Sequence, residues 1–79
     1  MKLVDIGFGN MLSAERIITL CCPDSSPMKR LIQDAKEASL LIDATCGKKT
    51  LCVIVTDSSH VVLSSLSPEQ IGENIAGLV

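Results

Sequence analysis

The chain reads as an α+β domain: a small mixed or antiparallel β-sheet with two short helices, in the order β-β-α-β-β-β-α. Three observations predict it. Two serine-proline steps, Ser26-Pro27 and Ser67-Pro68, each head a segment with helical apolar spacing. Runs rich in β-branched residues, Arg16-Ile17-Ile18-Thr19-Leu20-Cys21 and Leu51-Cys52-Val53-Ile54-Val55-Thr56, have the composition of strands. The whole chain is 79 residues, so all of this forms one domain, residues 1–79, around one core.

The elements follow in order. Lys2 to Ile6 is a strand, and Gly7-Phe8-Gly9-Asn10 is a tight turn, because two glycines and an asparagine accept positive φ. Phe8 lies inside that turn and is expected to pack it onto the core. Met11 to Ser13 is a short extended piece, and Arg16 to Cys21 a strand. Pro23-Asp24-Ser25-Ser26-Pro27 breaks the chain, with Ser26 the expected N-cap of the first helix. Met28, Leu31, Ile32 and Ala35 then recur at i, i+3, i+4 and i+7, one apolar stripe that ends near Ala38-Ser39.

Leu40 to Ala44 is the next strand, and Cys46-Gly47-Lys48-Lys49 turns the chain. Leu51 to Thr56 does not alternate, which predicts burial on both faces, one of them against another subunit. Asp57-Ser58-Ser59-His60 is a hairpin turn and Val61 to Ser64 the returning strand. Ser67, Pro68 and Gln70 make a helix start with capping-box chemistry, followed by Ile71, Ile75 and Leu78 on one face.

Composition limits the function classes. Nearly half the residues are apolar, yet Phe8 is the only aromatic, so the core is aliphatic. A chain this short buries only about 60% of its unfolded surface, and such domains finish the burial against copies of themselves. A homo-oligomer is therefore expected. The net charge of −2 means that binding to nucleic acid has to rest on a local patch. The absence of Trp and Tyr disfavours stacking of unpaired bases, and with it an RNA regulator. Met1-Lys2 leads at once into a strand interrupted by Asp5, and no apolar run approaches the roughly 20 residues of a membrane helix, so a cytoplasmic protein with no membrane partner is expected.

Catalytic chemistry finds little footing. Cys21, Cys22, Cys46 and Cys52 contain no Cys-x-x-Cys pair, and they read as small buried hydrophobes rather than zinc ligands. Asp57, Ser58, Ser59 and His60 have the residue types of a catalytic triad, but four consecutive residues on a turn are expected not to point at one another. No phosphate-binding loop or dinucleotide pattern appears. Neither an enzyme nor a small-molecule substrate, cofactor or metal is expected.

The basic residues carry the lead. Lys48 and Lys49 are adjacent on a glycine turn, local positive charge aimed outward from an acidic chain. Lys29 and Arg30 lie in the first turn of the helix after Pro27, the end where the helix dipole is already positive, so they are additional candidates for an anion. Arg16 opens a strand beside Glu15, its expected surface partner.

Taken together, Ile6-Gly7-Phe8-Gly9-Asn10, Ser13-Ala14 with Arg16, Pro23-Asp24-Ser25 with Pro27 and Lys29-Arg30, Leu41-Ile42-Asp43-Ala44-Thr45 with Gly47 and Thr50, Thr56-Asp57-Ser58 with His60-Val61, and Pro68-Glu69 resemble the RemA family of bacterial extracellular-matrix regulators. The resemblance runs from Leu3 to about Ile71. It implies a cytoplasmic DNA-binding transcriptional regulator with a fold similar to LytTR-type domains. It also implies assembly into a closed, octameric ring that carries double-stranded promoter DNA on repeated basic sites and controls biofilm genes. The DNA contacts it implies fall on Arg16, Lys48 and Lys49. The family usually has arginine at the last two, and lysine supplies charge there without the bidentate fork, so non-specific affinity should survive better than sequence selectivity. The competing reading is a ring-forming scaffold that binds protein and not DNA.

Overall fold

The turn at Gly7-Phe8-Gly9-Asn10 forms as its residues dictate. In a computed structural model, which describes residues 1–78, Gly7, Phe8 and Gly9 all have positive φ. Asp5 Oδ1 accepts a hydrogen bond from the Gly7 N–H at 2.8 Å, and Asn10 Nδ2 donates to the Gly7 carbonyl at 3.1 Å. The turn folds β1 (Leu3–Gly7) against β2 (Asn10–Ser13) as an antiparallel pair. The sequence reading has one sheet with an unassigned extended piece at 11–13. The structure has two sheets, because a turn this short closes the piece onto the strand just before it, the pairing with the least loop entropy to overcome.

A short 3₁₀ turn, Ala14–Arg16, leads into β3 (Ile17–Cys21), so Arg16 precedes the strand rather than opening it. The first helix, α1 (Ser26–Glu37), is capped by Ser25, whose Oγ accepts from the Met28 N–H at 3.3 Å. The cap is one residue earlier than the sequence suggests. Ser25 and Ser26 are equivalent in chemistry, and the extended backbone of Ser25 decides between them. The second sheet comprises β3, β4 (Leu41–Asp43), β5 (Cys52–Thr56) and β6 (Val61–Ser64) in the order β3-β5-β6-β4. Only β4 and β6 run parallel. The last helix, α2 (Pro68–Ala76), begins with the predicted box: Ser67 Oγ accepts from the Gln70 N–H, and Gln70 Oε1 accepts from the Ser67 N–H.

Three layers result. On one face of the four-stranded sheet, Met28, Leu31, Ile32 and Ala35 of α1 pack on Val53, Val61 and Leu63. On the other face, Val4 and Ile6 of the hairpin and Ile71 and Ile75 of α2 pack on Cys52, Ile54 and Val62. Both faces of the central strand β5 are therefore covered from within the chain. The expectation that another subunit covers one of them does not hold, because the β1–β2 hairpin supplies the missing layer. Ser64 stitches the layers together: its buried hydroxyl donates to the Ile6 carbonyl at 2.7 Å and accepts from the Leu66 N–H at 3.0 Å.

Two sequence expectations fail here. Phe8 does not plug the core; it stands 54% exposed at the hairpin tip, because both residues that hold the turn, Asp5 and Asn10, bind backbone and leave the ring outside. The cysteines are not uniformly buried either: Cys22 and Cys46 are exposed, and only Cys52 is enclosed. Burial pushes the Cys52 thiol up to about 11, which keeps it protonated and unreactive. Iodoacetamide at neutral pH is therefore expected to modify Cys22 and Cys46 in the native protein and Cys52 only after unfolding, as read by peptide mass spectrometry. Labelling of native Cys52 at the rate of Cys46 would contradict the placement of β5.

Candidate nucleic-acid interface

The strand directions define two ends of the sheet. At one end β3, β4 and β6 begin, β5 finishes, and the turn 57–60 connects β5 to β6. At the other end β4 finishes, β5 begins, and residues 44–51 join them. These are the turn end and the loop end.

The loop end carries Lys48 and Lys49. Its geometry starts with Asp43, whose Oδ1 accepts both the Thr45 N–H at 2.9 Å and the Thr45 hydroxyl at 2.6 Å. Those two hydrogen bonds hold the Asp43 carboxyl below its ordinary value. Ala44 and Thr45 are buried and anchor the base of the loop. Cys46 and Gly47 then take positive φ, and the Lys48 N–H returns to the Thr45 carbonyl at 3.0 Å. Gly47 is needed at φ +80°, a conformation that side chains rarely adopt. On the far side, the Leu51 N–H bonds the Ser64 carbonyl at 2.9 Å. Both lysines are exposed, and among the described residues neither has an acidic partner within 4 Å. A short tether fixed at both ends thus presents two unpaired cations.

Lys29 and Arg30 lie at the same end. Strand β3 finishes opposite Val53 near the start of β5, and α1 begins four residues beyond that strand. Lys29 is exposed, and Arg30 is within 4.0 Å of Asp34 one turn on, a contact between two exposed groups. Asp34 and Asp43 are the acids nearest in sequence to these four cations.

Arg16 is not with them. It sits at the turn end, where its carbonyl accepts from the Asp57 N–H at 2.9 Å and its Nη1 lies 3.4 Å from Asp57 Oδ2. The expected partner Glu15 is replaced by Asp57, which the β3–β5 pairing brings alongside from 41 residues away. One chain therefore separates Arg16 from Lys48 and Lys49 by the length of β5.

The turn beside Arg16 holds another departure. Ser58 Oγ lies 2.7 Å from His60 Nδ1 and 3.0 Å from Thr56 Oγ1, so two of the triad-type residues do point at each other. The positive φ of Ser59 curls the turn enough to bring them together. Asp57 turns to Arg16 instead of the imidazole, and the contacts shared by Thr56, Ser58 and His60 close the turn.

Next to this turn an open groove of about 350 Å³ lies on the hairpin side of the sheet. Its lining includes Leu12, Arg16, Ile42, Thr56, His60 and Val62. The sequence gives no sign of it, because its lining comes from β2, the 3₁₀ turn, β4, β5, the 57–60 turn and β6. Among the described residues no group of three His, Cys, Asp or Glu side chains is placed to hold a metal ion, and no helix is long and apolar enough to cross a membrane.

Comparison with known proteins agrees with this arrangement of short motifs. The family profile described as extracellular matrix regulatory protein A-like, or RemA-like, matches residues 3–75. A protein from Geobacillus thermodenitrificans that bears the name of a regulatory protein is 56% identical over 77 residues, covering 98% of this chain and 88% of that one. Similarly named proteins of Caldicellulosiruptor saccharolyticus and Clostridium botulinum are 52% and 49% identical, each over at least 95% of this chain and over 74% and 84% of their own length. These names describe regulators rather than enzymes. With the profile spanning nearly the whole domain and relatives at about half identity, the chain belongs to the RemA-like family of regulatory proteins.

Proposed function

We propose that this chain is a cytoplasmic DNA-binding transcriptional regulator of extracellular-matrix and biofilm genes. It acts as a ring-shaped homo-oligomer, octameric as the family resemblance implies, that binds duplex promoter DNA through Lys48, Lys49 and Arg16. The observation that carries the reading is the loop 44–51, a tether fixed by Asp43, Thr45 and Ser64 that holds two exposed lysines with no acidic partner within 4 Å among the described residues. Lys29 and Arg30 at the same end extend the positive surface. Neither helix is free to enter a groove as a reader, because α1 and α2 both spend their apolar faces on the sheet. Selectivity then comes from DNA shape and deformability as much as from base contacts, which suits AT-rich sites.

The test is retention of an AT-rich promoter duplex across a salt series, with the mass of the protein recorded by light scattering in the same buffer. If two or three subunits touch one duplex, about 6–9 phosphates are neutralised and the log–log salt slope is roughly −5 to −8. A slope shallower than about −2 would remove the multi-subunit version. A large oligomer that ignores DNA at low salt would favour the protein-binding scaffold. That second reading draws on the exposed apolar residues Phe8, Met11 and Ile18.

A further inference from the structure

We propose that Cys22 and Cys52 form a redox-responsive staple, in which an oxidant of the peroxide class converts the two thiols into a cross-strand disulfide between the end of β3 and the start of β5. Strand register places them. In this antiparallel pair Leu20 stands opposite Ile54, and Cys21 stands opposite Val53. The next step along the same ladder sets Cys22 opposite Cys52. A residue before proline is held in the extended region, so Cys22, ahead of Pro23, continues the line of β3 past its last paired residue.

The faces agree. Leu20, Cys52 and Ile54 pack on the hairpin side of the sheet, while Cys21 and Val53 pack on the α1 side. Alternation along the strand returns Cys22 to the hairpin side, with Cys52. Cys21 faces away from both, so a bond from Cys21 to either of them does not fit the extended backbone. Burial is the main cause of the raised Cys52 thiol, and charge on Cys21, Cys22 and Glu69 adds to it, so Cys22 is within electrostatic reach of that sulfur.

The spacing suits the bond. Directly opposed residues of an antiparallel pair have Cα atoms about 4.5–5.5 Å apart, inside the range of about 4.4–6.8 Å that a disulfide spans. Their Cβ atoms stand about 4.5–5.5 Å apart where a disulfide takes about 3.8 Å, so a closure of about 1 Å remains. Cys22 can supply that movement, because it is exposed and lies beyond the last ladder pair of an edge strand.

The two thiols divide the chemistry. Cys22 is open to solvent and meets the oxidant. Its thiolate sulfur attacks one peroxide oxygen, the O–O bond breaks, and the leaving hydroxide takes up the thiol proton as water, which leaves a sulfenic acid on Cys22. The Cys52 sulfur then attacks the Cys22 sulfur, the S–O bond breaks, and the hydroxyl departs with the Cys52 proton as a second water. Two thiols are oxidised by two electrons in all, and one peroxide is reduced to two waters. Burial slows Cys52 toward reagents in solution but not toward this neighbour. Raising the thiol from 9.0 to about 11 lowers its thiolate fraction at neutral pH by about 100-fold, whereas a well-placed intramolecular partner has an effective concentration of about 10⁵ M or more.

The bond closes a long loop. Residues Pro23 to Leu51 contain α1, β4 and the four cations of the loop end, Lys29, Arg30, Lys48 and Lys49. A crosslink across a long loop restricts the unfolded chain, so the oxidised domain resists denaturant better than the reduced one. The edge strand β3, paired on one side only, also gains a covalent hold where it finishes. The staple stands apart from the DNA-binding reading and is tested without DNA.

Titration of the reduced wild-type chain with hydrogen peroxide is the test. A non-reducing digest should join the peptide that carries Cys21 and Cys22 to the one that carries Cys52, with a mass two hydrogens below the sum of the two. Dithiothreitol should restore the separate peptides. Because Cys21 and Cys22 share a peptide, variants assign the bond: Cys21→Ser should keep the link, and Cys22→Ser, a change at an exposed site, should lose it. The urea midpoint should rise on oxidation in the wild type and in Cys21→Ser, and stay where it was in Cys22→Ser. A link that survives Cys22→Ser, a link to Cys46, a bridge between two chains, or Cys22 driven to sulfinic acid while Cys52 remains a thiol overturns the pairing. A bridged chain that unfolds at a lower urea concentration than the reduced chain overturns the stabilising role.

Discussion

Reversing both loop lysines, Lys48→Glu with Lys49→Glu, is expected to abolish DNA retention while the domain stays folded. Each reversal shifts the charge by two, so the chain goes from −2 to −6. Neither side chain is buried or paired among the described residues, so the fold loses nothing in either change. For DNA the loss is multiplied by every subunit on the duplex. Two phosphate contacts removed per subunit account for about 1.8 of salt slope each time, and two or three subunits would take a slope of −5 to −8 down to roughly −1 to −3. Affinity at 100 mM salt should fall by at least about 100-fold. Far-UV circular dichroism checks the fold, and a gel-shift salt series reads the binding. Retention unchanged from wild type would end the DNA-binding reading. The companion change, Lys48→Arg with Lys49→Arg, should leave the slope alone and sharpen discrimination between sequences, because only the guanidinium fork can hold two acceptors at once.

The parts of this molecule that were legible in the sequence are those decided by neighbours along the chain. The stripe Met28, Leu31, Ile32, Ala35 and the face Ile71, Ile75, Leu78 are the residues that pack, because helical spacing is a local property. The capping box at Ser67 and the outward lysines on the Gly47 turn were equally readable. What escaped depends on contacts across long separations. The partner of Arg16 is Asp57 and not its neighbour Glu15, since strand register sets that pair. The β1–β2 hairpin forms a layer of its own, which covers β5 and replaces the subunit expected there. Phe8 faces water because the turn is held by backbone contacts that do not involve its ring. For the site, Lys48 and Lys49 could be located from sequence, but the distance that separates them from Arg16 required the strand order β3-β5-β6-β4.

Ile54→Ala should have the largest effect on stability of any single truncation. Ile54 is fully buried at the middle of β5, where it meets Val4 and Ile6 of the hairpin and Ile71 of α2. Removing its three outer carbons loses their transfer free energy and leaves a cavity that three different elements would have to move to fill, at a cost of about 3–4 kcal/mol. A domain of this length holds only about 4–12 kcal/mol in total, so the change removes about a quarter of it or more. Ile42→Ala provides the contrast. Its side chain lines the groove nearly half in water, and its loss should cost less than about 1 kcal/mol in the isolated chain. Urea denaturation at low protein concentration measures both values. The measurement should then be repeated at high concentration, because assembly stabilises whatever it binds by mass action. If the chain assembles, the stability of the wild-type chain rises with concentration. A cost for Ile54→Ala no larger than that for Ile42→Ala would mean that β5 is not the centre of this core.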